Sequence, residues 1–145
     1  MKKYIKIYKK INSFNKKIEV SGDKSISIRC VLLASQAIGV SKITNLLESE
    51  DVLNALKAIK HLGINYKKKG NAYFINSFGL NSFKIKNKLK INAGNSGTLA
   101  RLLLGLLVDT KKEITIVGDN SLSNRDFSRV TEPLKLFGAN VNSNN

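Results

Sequence analysis

The sequence predicts an α/β fold in which helices pack on a mixed sheet. Three observations lead there: apolar residues switch between strand-like and helix-like spacing, glycines punctuate the switches, and one pattern occurs twice. In the first copy a glycine turn at Gly22 is followed by a hydroxyl residue and then Arg29, seven residues after the glycine. In the second, Gly94 leads to Arg101 at the same interval. An apolar helix and a β-branched strand follow in both, and a second helix closes in Leu62-Gly63 or Phe137-Gly138. The offset of 72 residues is longer than the roughly 20–50 of common solenoids. It indicates a duplicated β-α-β-α-β unit, over about 17–76 and 89–145.

The elements follow in order. The opening MKKYIKIYKKI is basic but has no continuous apolar run, so it is not a signal peptide; Tyr4, Ile5, Ile7, Tyr8 and Ile11 suit a strand. Lys17–Ser21 is a second short strand. A helix from Lys24 to about Ala37 carries Ile28, Val31, Leu32 and Ser35 at helical spacing. Gly39 ends it, and Val40–Leu46 is a strand. Ser49 caps the next helix, with Glu50 and Asp51 favourable in its first turn; it runs to Leu62 and stops at Gly63. Ile64–Lys67 and Ala72–Asn76 pair around the turn-prone Lys69-Gly70-Asn71. Leu89–Asn92 is a strand, followed by the glycine-rich turn Ala93-Gly94-Asn95-Ser96-Gly97 and an apolar helix over Thr98–Val108. Glu113–Val117 is a strand, and Asp126–Phe137 a helix closed by Gly138. The sequence then stops where the second unit's last strand should follow, so that unit reads as cut short.

At 145 residues the chain is the size of one domain with a real core. Its 42% hydrophobic and 24% charged content are those of a soluble globular protein. A net charge of +15 raises nucleic acid or an anionic membrane as partner. The lysines, however, are strewn along the chain and do not gather around aromatics. With abundant Lys, Asn and Ile, one Pro and no Trp, the balance is what codon drift in an AT-rich genome produces. The favoured reading is therefore solvated surface, no nucleic acid and no membrane, since no stretch approaches the eighteen or so apolar residues of a span. A lone cysteine, Cys30, excludes an internal disulfide, fits a reducing cytoplasm and reads as a small core residue. One Cys and one His (His61) cannot make a zinc site, and His61 suits the last turn of its helix electrostatically.

Only four arginines occur, Arg29, Arg101, Arg125 and Arg129, all in or beside Gly/Ser-rich turns. A lysine-favouring drift would convert any arginine needed only for charge. What lysine cannot imitate is the planar five-donor fork that grips a carboxylate or phosphate through two parallel bonds. Lys24 and Ser25 open the first helix, and Ser25 and Arg29, four apart, share a face. Free N–H groups and the positive dipole end make that helix start an anion cradle. Gly94, Gly97 and Thr98 repeat it, with Arg101 one turn on, and Arg125 follows the loop Gly118-Asp-Asn-Ser-Leu-Ser-Asn. Asp23 stands in the first turn, while Asp119 and Asp126 flank the Arg125 loop; none is an evident general base, and no nucleophile–base pair is visible. The residues describe a binder of small anions.

Four motifs in register resemble the 5-enolpyruvylshikimate-3-phosphate synthase family. Gly22-Asp-Lys-Ser-Ile-Ser-Ile-Arg29 is similar to its P-G-D/S-K-S-x-S-x-R, and Thr44-Asn-Leu-Leu-Glu-Ser-Glu-Asp-Val52 to its next stretch. Ala93-Gly-Asn-Ser-Gly-Thr98 with Arg101 resembles G-N-S/A-G-T-x-x-R. Gly118-Asp-Asn-Ser-Leu-Ser-Asn-Arg125, then Arg129-Val and Pro133-Leu, resembles G-D-x-S-L-x-x-R-P-x-x-R-V-x-x-P-L. The resemblance covers about Lys17 to Ala139. It implies part of one lobe of a two-lobed fold built from β-α-β-α-β-β units. It implies transfer of the enolpyruvyl group of phosphoenolpyruvate to the 5-hydroxyl of shikimate 3-phosphate, with release of phosphate and without metal or organic cofactor. By position, Lys24 would touch both substrates, Ser25 and Arg29 would hold shikimate 3-phosphate, and Gly97 and Arg125 would bind phosphoenolpyruvate. Asn95, Thr98 and Arg101 would support that loop. Glyphosate would use the phosphoenolpyruvate groups.

The sequence departs from the family at Ser21 and Asp126, which replace prolines, and at Ile28, which replaces His or Asn. Asp126 is placed to pair with Arg125 and weaken its hold on substrate. Family members are roughly three times longer, and the absent portion supplies the acid/base groups; the catalytic residues are accordingly unknown. The expectation is an incomplete N-terminal portion, inactive alone, whose partner is the missing C-terminal portion. The alternatives are a non-enzymatic remnant with weak anion binding and a basic nucleic-acid-binding domain.

Overall fold

The computed structural model describes residues 5–10, 12–85 and 87–143. Its elements are α1 (Lys24–Ala34), β1 (Ile38–Thr44), α2 (Glu50–His61), β2 (Asn65–Lys69), β3 (Ala72–Phe78), β4 (Lys88–Asn92), α3 (Gly97–Leu106), β5 (Glu113–Val117), α4 (Asn120–Ser123) and α5 (Ser128–Leu136). Strands β1, β3 and β2 form an antiparallel sheet in that order, with Ile38 opposite Phe78 and Asn65 opposite Asn76. Strands β4 and β5 form a separate parallel pair, Leu89 opposite Ile114 and Asn92 opposite Val117. Parallel and antiparallel pairing thus both occur, in different sheets.

Helix α2 shows why the core forms where it does. Val52, Ala55, Leu56 and Ile59 recur at i, i+3, i+4 and i+7 and are fully buried. They join Ile28, Val31, Ile75, Ile91, Leu99 and Leu103 in one apolar cluster that links both sheets to the helices. Two glycines end helices as the sequence predicts. Gly63, at φ +86°, lets its own N–H reach Lys60 O (3.0 Å) and the Ile64 N–H reach Ile59 O (3.0 Å). Gly138, at φ +89°, does the same with Lys135 O and Leu134 O. Both are Schellman closures, which require the left-handed backbone that glycine adopts without strain. The β2–β3 hairpin turns on Gly70-Asn71, with Gly70 at φ +58° in the first central position.

Several expectations are corrected. Helix α1 stops at Ala34 instead of Ala37, because the Ser35 hydroxyl folds back onto Leu32 O (2.6 Å) and competes with the helical ladder. Gly39, expected as the stop, lies inside β1, which ends at Thr44 before the left-handed Asn45. Residues 17–21 form no strand, since no described strand pairs with them; Ile18 and Val20 are exposed. Ile5, Ile7 and Tyr8 are likewise exposed and irregular, while Tyr4 and Ile11 lie outside the described residues. Cys30 is half-buried and stands outside the core. The Gly118–Asn124 stretch, read as a loop, contains the short helix α4. Among the described residues no helix is long and apolar enough to cross a membrane.

Candidate functional site

Parallel strands deliver the next segments of chain to their carboxyl ends, where open α/β sheets bind ligands. Here Asn92 ends β4 and the turn 93–96 leads into α3; Val117 ends β5 and Gly118-Asp119 leads into α4. The two turns touch: Asp119 N–H donates to Gly94 O at 3.0 Å. Gly118 permits that approach, since a Cβ there would stand 2.5 Å from Gly94 O and 2.2 Å from Leu122 Cδ2.

Beside these turns lies a cavity of about 240 Å³ lined by Lys24, Asp51, Asn95, Gly97, Thr98, Arg101 and Arg125. Three first turns of helices form part of its walls, beside Asn95, Arg101 and Arg125. Lys24 is the first residue of α1, Asp51 the second of α2, and Gly97 and Thr98 open α3. Each such turn presents free N–H groups and the positive end of a helix dipole. Three cations against one carboxylate reinforce that field. Asp23 caps α1 through Ile26 N–H (2.7 Å), and Ser96 caps α3 through Leu99 N–H (3.3 Å). The caps fix where the helices begin and hence where their first residues point.

Each cationic group is held differently. Lys24 Nζ stands 3.2 Å from Asp51 Oδ2. Arg101 lies over the Phe127 ring, 5.1 Å from its centroid, and donates through Nη2 to Asp126 O at 3.1 Å. Arg125 donates through Nη2 to Asn95 Oδ1, and Asn95 Nδ2 donates to Asp119 Oδ2 at 2.9 Å. None of the described carboxylates forms an ion pair with Arg101 or Arg125. Gly97 sits between the two forks: a Cβ on it would be 2.7 Å from Arg125 Nη1 and 2.8 Å from Arg101 Nη1.

The structure therefore brings together Lys24, Asn95, Gly97, Thr98, Arg101 and Arg125. Ser25 and Arg29 are not among the residues that line this cavity. Arg29 is exposed on the next turn of α1 and pairs with no described carboxylate. The expected Asp126–Arg125 pair does not form. The Asp126 carboxylate instead accepts from Ser128 N–H (2.7 Å) and Ser128 Oγ (2.8 Å) at the start of α5. Those bonds, with the charges of Arg101 and Arg129, hold its carboxyl below the usual aspartate range. Sequence reasoning missed Asp51 as a cavity residue, because an acid in a helix's first turn already has a sufficient explanation in the dipole. The loop preceding α2 is pinned to the antiparallel sheet by Lys68, which donates to Glu48 and lowers that carboxyl's pKa. Among the described residues no cluster of three or more His, Cys, Asp or Glu could hold a metal ion.

Fold and site together define an α/β protein with a cationic cavity at the ends of a parallel strand pair. The sequence pattern of EPSP synthase (3-phosphoshikimate 1-carboxyvinyltransferase) matches residues 8–145. The 3-phosphoshikimate 1-carboxyvinyltransferase of Ruthia magnifica is 42% identical over 139 residues, covering 96% of this chain and 32% of its own length. That of Oceanobacillus iheyensis is 42% identical over 124 residues, covering 86% and 29%. Two EPSP synthase structures from Acinetobacter baumannii superpose with TM-scores of 0.80 and 0.83 at 36% and 35% identity. They cover 86% and 90% of this chain, and 28% and 29% of their own. The chain belongs to the EPSP synthase family, and it corresponds to an N-terminal part of such an enzyme. It spans about 30% of the length of the curated relatives it matches.

Proposed function

We propose that this chain is the N-terminal share of an enzyme that moves the enolpyruvyl group of phosphoenolpyruvate onto the 5-hydroxyl of shikimate 3-phosphate. The observation that carries the reading is the convergence of Lys24, Arg101 and Arg125 on one cavity beside the first turn of α3. Its volume, about 240 Å³, suits one small metabolite, below the roughly 300–1,000 Å³ of drug-sized pockets. In this reading phosphoenolpyruvate sits against Gly97, where a side chain's absence lets an anion approach the backbone. Arg125 grips it through the fork, and Asn95, Thr98 and Arg101 hold the loop. Lys24, steadied by Asp51, reaches both substrates. Ser25 and Arg29, outside the cavity on α1, hold shikimate 3-phosphate at its rim.

The reaction adds the 5-hydroxyl oxygen to C2 of phosphoenolpyruvate as the hydroxyl gives up its proton and C3 gains one, giving a tetrahedral intermediate. The C2–O bond to phosphate then breaks as C3 loses a proton, and inorganic phosphate leaves. Preorganised cations stabilise the negative charge of the leaving phosphate, which is the service this cavity offers. Proton transfer falls to groups outside the chain, since Asp51 is the cavity's single carboxylate and is paired with Lys24. The partner is thus the remaining portion of such an enzyme. Two units, 17–76 and 89–145, organise the chain in this reading. The Schellman glycines Gly63 and Gly138 at the ends of α2 and α5 support that division.

Calorimetry on the full 145-residue chain tests the assignment. Charge-assisted bonds contribute about 1.5–3 kcal/mol each, so Arg125→Ala lowers phosphoenolpyruvate affinity roughly 10- to 100-fold. Arg29→Lys weakens shikimate 3-phosphate, losing the fork while keeping the charge, and leaves phosphoenolpyruvate binding intact. Binding of neither anion, or binding indifferent to Arg125→Ala, overturns the reading.

A further inference from the structure

We infer that Asp119 is a positioning residue that aims Arg125 through the amide of Asn95. The inference rests on the reading of the cavity as the seat of phosphoenolpyruvate, but the geometry behind it is independent of any ligand. Asp119 spends its two carboxylate oxygens on separate tasks. Oδ1 accepts from Leu122 N–H at 2.7 Å and caps α4; Oδ2 accepts from Asn95 Nδ2 at 2.9 Å. A carboxylate only accepts, so the amide of Asn95 must turn its NH₂ toward Asp119 and its oxygen the other way. That oxygen meets Arg125 Nη2 and accepts from it. The reverse amide orientation would set an NH₂ group against a guanidinium, donor to donor.

The relay fixes Arg125 without neutralising it. A carboxylate in direct contact with the guanidinium would offset its charge and compete with an incoming anion. The intervening amide carries no charge, and it uses one of the five guanidinium donors. The backbone holds the relay in register. Asp119 N–H donates to Gly94 O at 3.0 Å, and Gly118, having no Cβ, lets the two turns approach this closely. Positioning and charge are thereby assigned to different residues, Asp119 supplying the first and Arg125 the second.

Asp119→Asn in the full chain separates aiming from folding, because asparagine is as good an N-cap as aspartate. With its oxygen capping Leu122, the substituted amide would turn its NH₂ toward Asn95 and force the Asn95 amide to flip. Two measurements follow. By calorimetry, D119N weakens phosphoenolpyruvate binding about tenfold, with a melting temperature close to that of the parent. The double variant D119N/N95A is no weaker than N95A alone, because both act through one path. By ¹⁵N NMR without ligand, rotation of the Arg125 guanidinium is slow in the parent and fast in D119N. A D119N chain with parental guanidinium rotation, or additive losses in the double variant, overturns the relay. A parent chain that binds no phosphoenolpyruvate overturns the functional reading, and the NMR measurement then still decides the relay.

Discussion

Gly97 stands where any side chain would come between two guanidinium groups, 2.7 Å from one and 2.8 Å from the other. Both obstacles are the far ends of flexible side chains, so Gly97→Ala folds by displacing them. Alanine is also the better helix residue, by up to about 1 kcal/mol in an interior position. The expected outcome is a melting temperature equal to or above the parent's, with phosphoenolpyruvate affinity lowered about tenfold by calorimetry; parental affinity would show that the forks are not the ligand's grip. At this scale Arg101 and Arg125 were legible as cavity residues because a lysine-rich chain retains so few arginines, whereas Arg29, singled out on the same ground, does not line the cavity. Asp51 and Asp119 were not. Each is a satisfactory helix-start residue on local grounds, and only the tertiary arrangement gives it a second partner across the site. Asp126 misled for the converse reason. Adjacency in sequence suggests pairing with Arg125, yet its carboxylate serves the Ser128 end of α5.

Elements with a local cause were the readable ones. The amphipathic face of α2, its Schellman closure at Gly63 and the Gly70 hairpin all rest on residues within a few positions of one another. The segment before α1 has no such local cause, and reading a strand there failed because strands exist only as pairs. What the segment does instead is press against the turn that follows β1. Asn45 Nδ2 donates to Val20 O at 3.4 Å and Gly22 fits below Asn45, while within α1 Ser27 Oγ accepts from Leu47 N–H of the same turn at 3.0 Å. Gly22 is therefore a glycine for close approach: a Cβ there would lie 2.1 Å from the Asn45 carbonyl oxygen, a backbone atom that cannot swing aside. Gly22→Ala is expected to cost about 1–3 kcal/mol, the range for overpacking, read as a lower urea midpoint at unchanged slope. A stability within about 0.5 kcal/mol of the parent, as for an ordinary surface change, would mean that the segment is not held there.

At the scale of the whole molecule, strand order and the meeting of distant turns lay beyond sequence reasoning. The order β1-β3-β2 places the hairpin's second strand in the centre, and no pattern within β1 states which neighbour it takes. The cavity is equally non-local, since Lys24, Asp51, Gly97 and Arg125 come from four different helix starts or turns. That assembly has charge and donors in plenty, but it lacks a free acid or base. Enolpyruvyl transfer needs a proton delivered to C3 and later removed, and general acid–base groups contribute about 10²–10⁴-fold each to such steps. A chain spanning about 30% of the length of its relatives is therefore expected to bind phosphoenolpyruvate without turning it over. Incubated with both substrates, the 145-residue chain should release no inorganic phosphate in a coupled assay. Adding the complementary C-terminal portion of a relative in trans should restore release, and Arg125→Ala should suppress it again. Phosphate release by the chain alone would place an acid–base group among its own residues and overturn this division of labour.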